Sequence, residues 1–206
     1  MTILTLDIGF DNTGWAVIGK EKGIVDVGCI TTSKSPKKTK VRVADENAMR
    51  AAQTAMQLAE IIRRHSCMAM IGEMPSGGAL SAMAMRSMAI ASSVASVTAA
   101  LLEIPAEWCT PTDVKLATVG LKSATKDEVM EAVAKKYGWI IDEKSHSVMA
   151  SKGKNAGISK QVTRKMFNVK CLSGTKKIPG GTFEHIADAI GASWAMAGSN
   201  LMRMYC

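Results

Sequence analysis

The chain opens with a short apolar run, Ile3-Leu4-Thr5-Leu6, that stops at a charge, Asp7. Such a run predicts a buried strand, and Trp15-Ala16-Val17-Ile18 predicts a second. Val25 to Thr32 alternates enough to predict a third strand. The polar, basic stretch Thr31–Lys40, with Pro36 inside it, predicts a loop. From about Val43 to Arg64 the spacing turns helical, with Leu58, Ile61 and Ile62 on one stripe. Cys67–Glu73 is a short apolar run that again ends in a carboxylate, broken off by Pro75, Gly77 and Gly78. Ala79–Leu102 predicts a long helix that is apolar nearly all round and should pack on more than one side. It suits either a core helix or a helix at a dimer interface. Ala106–Thr110 predicts a strand. A short helix should run from Pro111 to Gly120 and a clearer one from Ser123 to Gly138, with its acids early and its lysines late. Trp139–Gly181 has few periodic features, and a last helix is expected from about Thr182 to Met202. Strands first, then strands alternating with helices, predict an α/β fold with a sheet covered by helices.

Composition narrows this little, and charge narrows it more. At 206 residues, with 47% hydrophobic and 21% charged residues, the chain is long enough for one good-sized domain with a substantial core. No run approaches the roughly 18 apolar residues of a membrane span, so no membrane is expected. The start lacks a basic segment and a cleavage site. Five scattered cysteines without a CxxC pair argue for a reducing compartment and against a zinc site. The net charge of +8 is uneven: between Trp139 and Phe183 stand nine Lys or Arg and only two acids, Asp142 and Glu143. That segment is either a solvated loop or a phosphate-binding surface.

Four residues sit where inert ones would be expected. Asp7 and Glu73 end apolar strands, and His185 and Asp188, three apart in "HIADAIGASW", share a face of an otherwise apolar helix. Buried carboxylates that meet would repel one another unless a cation joined them. Oxygen-rich sites favour Mg²⁺ or Mn²⁺, and two such ions about 3.5–4 Å apart can promote in-line phosphodiester hydrolysis. Each residue also has a plainer reading, Asp7 as a turn cap and His185 as a core histidine, and spacing does not oblige the four to converge.

At these residues the chain resembles the RuvC family of Holliday junction resolvases, metal-dependent nucleases of the RNase H-like superfamily. "LTLDIGFDNTGWAVI" is similar to the family's first motif, "VGCITT" to its third strand and "MIGEM" to the strand bearing a catalytic glutamate. "PTDVKLATVGLKSATKDEVM" is similar to its lysine-bearing segment, and "HIADAIGASWA" to its C-terminal acidic helix. The likeness runs from residue 3 to about 138 and resumes from 182 to about 197. It implies an RNase H-like fold with a mixed central sheet flanked by helices, in one nuclease domain over 1–206 with a basic insertion at about 139–181. It implies that Asp7, Glu73, His185 and Asp188 are catalytic metal ligands, for two Mg²⁺ ions with Mn²⁺ as a substitute. His185 stands where the family commonly has Asp. Lys115 and Lys126 would hold phosphates, and the 79–102 helix would form a homodimer. The expected substrate is branched DNA, four-way junctions above all, in the cytoplasm of a bacterial cell or phage-infected host.

There are two departures. Ser76 occupies a position where the family usually has an aromatic residue, and the insertion exceeds the usual connector. Basic residues there (Lys152, Lys154, Lys160, Arg164 and Lys165) are expected to add phosphate contacts and to broaden the substrate range. Two other readings are an RNase H-fold nuclease acting on flap DNA or RNA, and a catalytically silent protein that binds branched DNA.

Overall fold

The opening apolar run forms β1 (Thr2–Asp7), the middle strand of a five-stranded sheet. β2 (Asn12–Gly19) returns antiparallel to it, and β3 (Ile24–Thr31) follows antiparallel to β2. On the other side β4 (Cys67–Glu73) and β5 (Ala106–Cys109) run parallel, giving the order β3-β2-β1-β4-β5. This computed structural model describes residues 1–19, 23–36, 39–75, 81–149 and 159–205.

Helices cover both faces of the sheet. On one face lie α1 (Val43–Arg64) and α2 (Ala82–Leu101), whose Leu58, Ile61, Ala91 and Ala95 pack on Leu4, Leu6, Val17 and Met70. On the other lie α3 (Pro111–Val119), α4 (Lys126–Tyr137) and α5 (Gly180–Ala195). Because β1 is buried on both faces, it reads as one apolar run rather than as an alternation. Ile3 faces Ala192 of α5, while Leu4 faces the α1 side.

The structure corrects the sequence reading in three places. The basic segment is no irregular connector. It forms β6 (Ile140–Met149), β7 (Ser159–Cys171) and β8 (Gly174–Pro179), an antiparallel sheet of order β6-β7-β8. Its Phe167, Val169 and Ile178 join a core with Ala16, Ile18, Val27 and Ile186. The last helix is two: α5 ends at Ala195, and α6 (Asn200–Tyr205) starts after a turn around Gly198 and Ser199. Finally, among the described residues α2 is covered on one side. Ala91, Ala95, Thr98 and Ala99 are buried, while Met83, Met85, Val97 and Leu101 are exposed. By length and composition α2 is also apolar enough to cross a membrane, which counting unbroken apolar runs does not detect. Core helices of soluble proteins share that length and composition.

Candidate active site

Asp7 and Glu73 are direct neighbours in the parallel register of β1 and β4, so their side chains leave the same face at the same end of the sheet. Adjacent strands lie about 4.8 Å apart. That end, outside the carboxyl ends of parallel strands, is where open α/β sheets hold ligands.

α5 supplies the other two residues. Its buried stripe, Phe183, Ile186, Ala187 and Ile190, holds it against the sheet. Gly14, opposite Asp7 on β2, lets it come close: a Cβ there would stand 2.1 Å from the carbonyl oxygen of His185. This approach sets His185 Nδ1 2.7 Å from Asp7 Oδ2, with the imidazole N–H donating to the carboxylate. Asp188 is one turn further along α5.

The electrostatics are strained in one direction. Burial, then the charges of Asp7 and Asp188, push Glu73 up to about 8, although Lys115 and Lys126 pull it down. Burial and Asp7 push Asp188 up to about 7, against Lys126 and His185. The Asp7 hydrogen bond raises His185. The donors, three carboxylates and an imidazole, suit a hard divalent cation, and the charge such an ion brings is what this cluster lacks. Among the described residues no three His, Cys, Asp or Glu side chains are already gathered as a metal-holding group, and Asp7 is engaged by His185 instead.

Two capped helices position the lysines. Thr110 and Asp113 form a capping box on α3, which carries Lys115; Thr125 and Glu128 form another on α4, where Lys126 is the first residue. Lys126 Nζ donates to Glu184 Oε1 at 2.7 Å, and that oxygen lies 3.7 Å from His185 Nε2.

Sequence reasoning missed three contributors. Glu184 anchors Lys126, and Gly14 admits α5. Arg50, 4% exposed, clamps the turn after Asp7: it donates to the Phe10 carbonyl at 3.1 Å and to Thr32 Oγ1 at 2.9 Å, pairs with Asp11 and lies over the Phe10 ring. A signal for Arg50 existed, since it shares the buried stripe of Thr54, Leu58 and Ile61.

The insertion residues fare differently. Arg164 is exposed on β7, and Lys160 lies in β7 opposite Val148. Lys152, Lys154 and Ser76 lie outside the described residues. Lys165 departs from expectation. Its side chain is 20% exposed and its ammonium is held by Glu131 at 2.9 Å, Asp127 at 3.3 Å and Glu143 at 3.7 Å, so it ties β7 to α4 and β6 rather than standing free for DNA.

A mixed sheet of this order flanked by helices, with carboxylates at the ends of its central strands, is the arrangement of the RNase H-like fold. Comparison with protein families narrows the class: the model described as "Crossover junction endodeoxyribonuclease RuvC" matches residues 3–137, about two thirds of the chain. The chain belongs to this family of junction-resolving endodeoxyribonucleases. The resemblance from residue 3 to about 138 coincides with the match, and the 182–197 stretch lies outside it. Thermus thermophilus RuvC in complex with Holliday junction substrate has a similar structure, with TM-score 0.60 and 18% identity over 100% of this chain and 98% of that one. A second Thermus thermophilus RuvC structure gives TM-score 0.58 and 17% identity over the same shares. At such identity the likeness is one of fold. No curated protein matches the sequence.

Proposed function

We propose that the chain resolves four-way DNA junctions through Asp7, Glu73, His185 and Asp188, which hold two Mg²⁺ ions or Mn²⁺ in their place, and that all 206 residues act as one nuclease domain. The observation that supports this reading is the pairing of Asp7 and Glu73, in register on β1 and β4, with α5 setting His185 against Asp7 and carrying Asp188 one turn further on. A divalent cation bound there supplies neutralising charge for the carboxylates and stabilises the charge that builds on the phosphate. His185 fixes the rotamer of Asp7. Glu73 and Asp188 surrender their protons when they take up ligand duty. Lys115 and Lys126 hold the phosphates flanking the cut, Lys126 kept in place by Glu184.

The exposed apolar side of α2 supports a homodimer through that helix, since burying Met83, Met85, Val97 and Leu101 against a second copy removes apolar surface from water. Two-fold symmetry then sets two sites against two opposed strands. Lys152, Lys154, Lys160 and Arg164 of the insertion add phosphate contacts that extend the range to other branched DNA. The protein works in the cytoplasm of a bacterial cell or phage-infected host.

The test is cleavage of labelled four-way junction, flap and linear duplex DNA with Mg²⁺ or Mn²⁺, beside Asp7→Asn. Paired nicks across the junction, reduced at least about 100-fold in the variant, are expected. Cutting confined to flaps or RNA would transfer the site to another nuclease of this fold. Junction binding without cutting in either metal would leave a binding protein.

A further inference from the structure

We infer that the outer face of the second sheet is a phosphate track for a duplex arm of the junction, formed by Lys144, Arg164, Lys170 and Lys177 and continuous with the active site. This rests on the reading of the chain as a junction resolvase and adds where an arm lies.

The register of β6, β7 and β8 is unbroken, so alternate residues separate cleanly into two faces. The inner face carries the buried Phe167, Val169 and Ile178, and both of its lysines have acid partners. Lys165 is held by Asp127, Glu131 and Glu143. Lys176 donates to Asp26 Oδ1 at 2.5 Å and to the Val27 carbonyl at 2.7 Å.

The outer face is the reverse. Lys144, Arg164, Lys170 and Lys177 are all exposed, and among the described residues no carboxylate lies within ion-pair distance of any of them. Its one acid, Asp142, accepts a hydrogen bond from Asn168 Nδ2 at 2.8 Å. Lys144 and Arg164 are direct cross-strand partners, and like charges so placed oppose sheet formation. A polyanion laid across them removes that repulsion, as a cation would for the carboxylates of the active site.

The track also has a direction. A cavity of about 590 Å³ is bordered by Lys144, Arg164, Met166 and Lys177. It shares Arg164 and Met166 with a second of about 460 Å³ that reaches Gly181 and Glu184. Glu184 is the residue that binds Lys126 beside His185, so the second cavity, bordered also by Asp127 and the paired Lys165, runs from Arg164 towards the active site. Duplex DNA is the partner this arrangement fits, because phosphate contacts of this kind position a protein without reading sequence.

The test measures junction affinity of the full chain between about 50 and 200 mM salt, for wild type, Lys144→Gln/Arg164→Gln/Lys177→Gln and Lys165→Gln. The triple variant is expected to keep the wild-type melting temperature and to bind at least tenfold more weakly. The slope of log affinity against log salt should fall by about 0.9 for each lost contact. Junctions with arms truncated close to the crossover should abolish this difference. Lys165→Gln should lower the melting temperature and leave the slope alone. Should the triple variant not fold, Arg164→Gln and Lys177→Gln singly are each expected to lower the slope by about 0.9. An unchanged slope overturns the track and leaves the face to an acidic protein, and an equal fall in Lys165→Gln overturns the assignment of faces. Wild type that neither prefers nor cuts junctions would instead sink the resolvase reading itself.

Discussion

At the ends of β1 and β4 the five-stranded sheet crowds carboxylates of one sign, whereas on the inner face of the three-stranded sheet every lysine meets acids. In the first arrangement Glu73 and Asp188 are driven far from their ordinary values. In the second, Asp26, 7% exposed, is held below its ordinary value, because Lys176, Ser173 and the Val27 N–H outweigh the cost of its burial. Buried charge is costly at both places, but only where Lys176 of β8 meets Asp26 of β3 does the chain bring the acid below its ordinary value. Charge matched inside the chain secures the fold, and like charge left unrelieved, as at Glu73 and Asp188, favours a ligand of opposite sign.

The comparison can be broken most severely at Gly14. Gly14→Ala puts a Cβ against the backbone of His185 and forces α5 off the sheet. It should cost about 1–3 kcal/mol in denaturant unfolding, and about 100-fold in junction cleavage as His185 leaves Asp7. A variant with wild-type cleavage would show that the close approach of α5 does not build the site.

Next comes pH, read on metal-free protein in chelator. Glu73 rises from an ordinary 4.5 to about 8 and Asp188 from 3.8 to about 7, so the folded state keeps protons that the unfolded chain has released. Their stabilising effect is complete below about pH 4 and disappears as pH climbs through 7 and 8; His185, also raised, acts in the same sense. Calorimetric melting temperatures should therefore fall from about pH 5 to about pH 8.5, and Mg²⁺ should restore more at the higher pH. A melting temperature that climbed over this range would remove the like-charge argument.

The smallest effect is expected in the second sheet. Lys176→Met leaves Asp26 its Ser173, Val27 and His65 neighbours, and Lys176 is itself 40% exposed, so the loss should be about 1 kcal/mol. Hydrogen exchange should quicken at Leu172 and Ser173, whose N–H groups donate to Ile24 and Val25, with cleavage close to wild type.

Much of the site was legible because an acid at the end of an apolar run is conspicuous: Asp7 and Glu73 announce themselves, and His185 and Asp188 interrupt an apolar helix. The first-sheet strands and α1 fall close to their expected bounds for the same reason. The second sheet was not legible. Phe167, Val169 and Ile178, with Ile141 and Cys171 beside them, mark its inner face, but Lys165 and Lys176, also on that face, interrupt the alternation that would reveal strands. The division of the last helix was hidden because Met196 and Ala197 continue its apolar character through the turn. Lys165 was misjudged because a count of charge along the chain does not tell which face a side chain takes.

The closeness of α5 to Gly14 also fixes an order of events in time. Asp7 and Glu73 leave the ribosome early, in strands that can pair as soon as β4 is made, but His185 and Asp188 come more than a hundred residues later. Until α5 has emerged and settled over Gly14, a growing chain holds two of the four proposed ligands and no imidazole against Asp7. On the proposed assignment of ligands, the site is completed last, by the docking of a single helix.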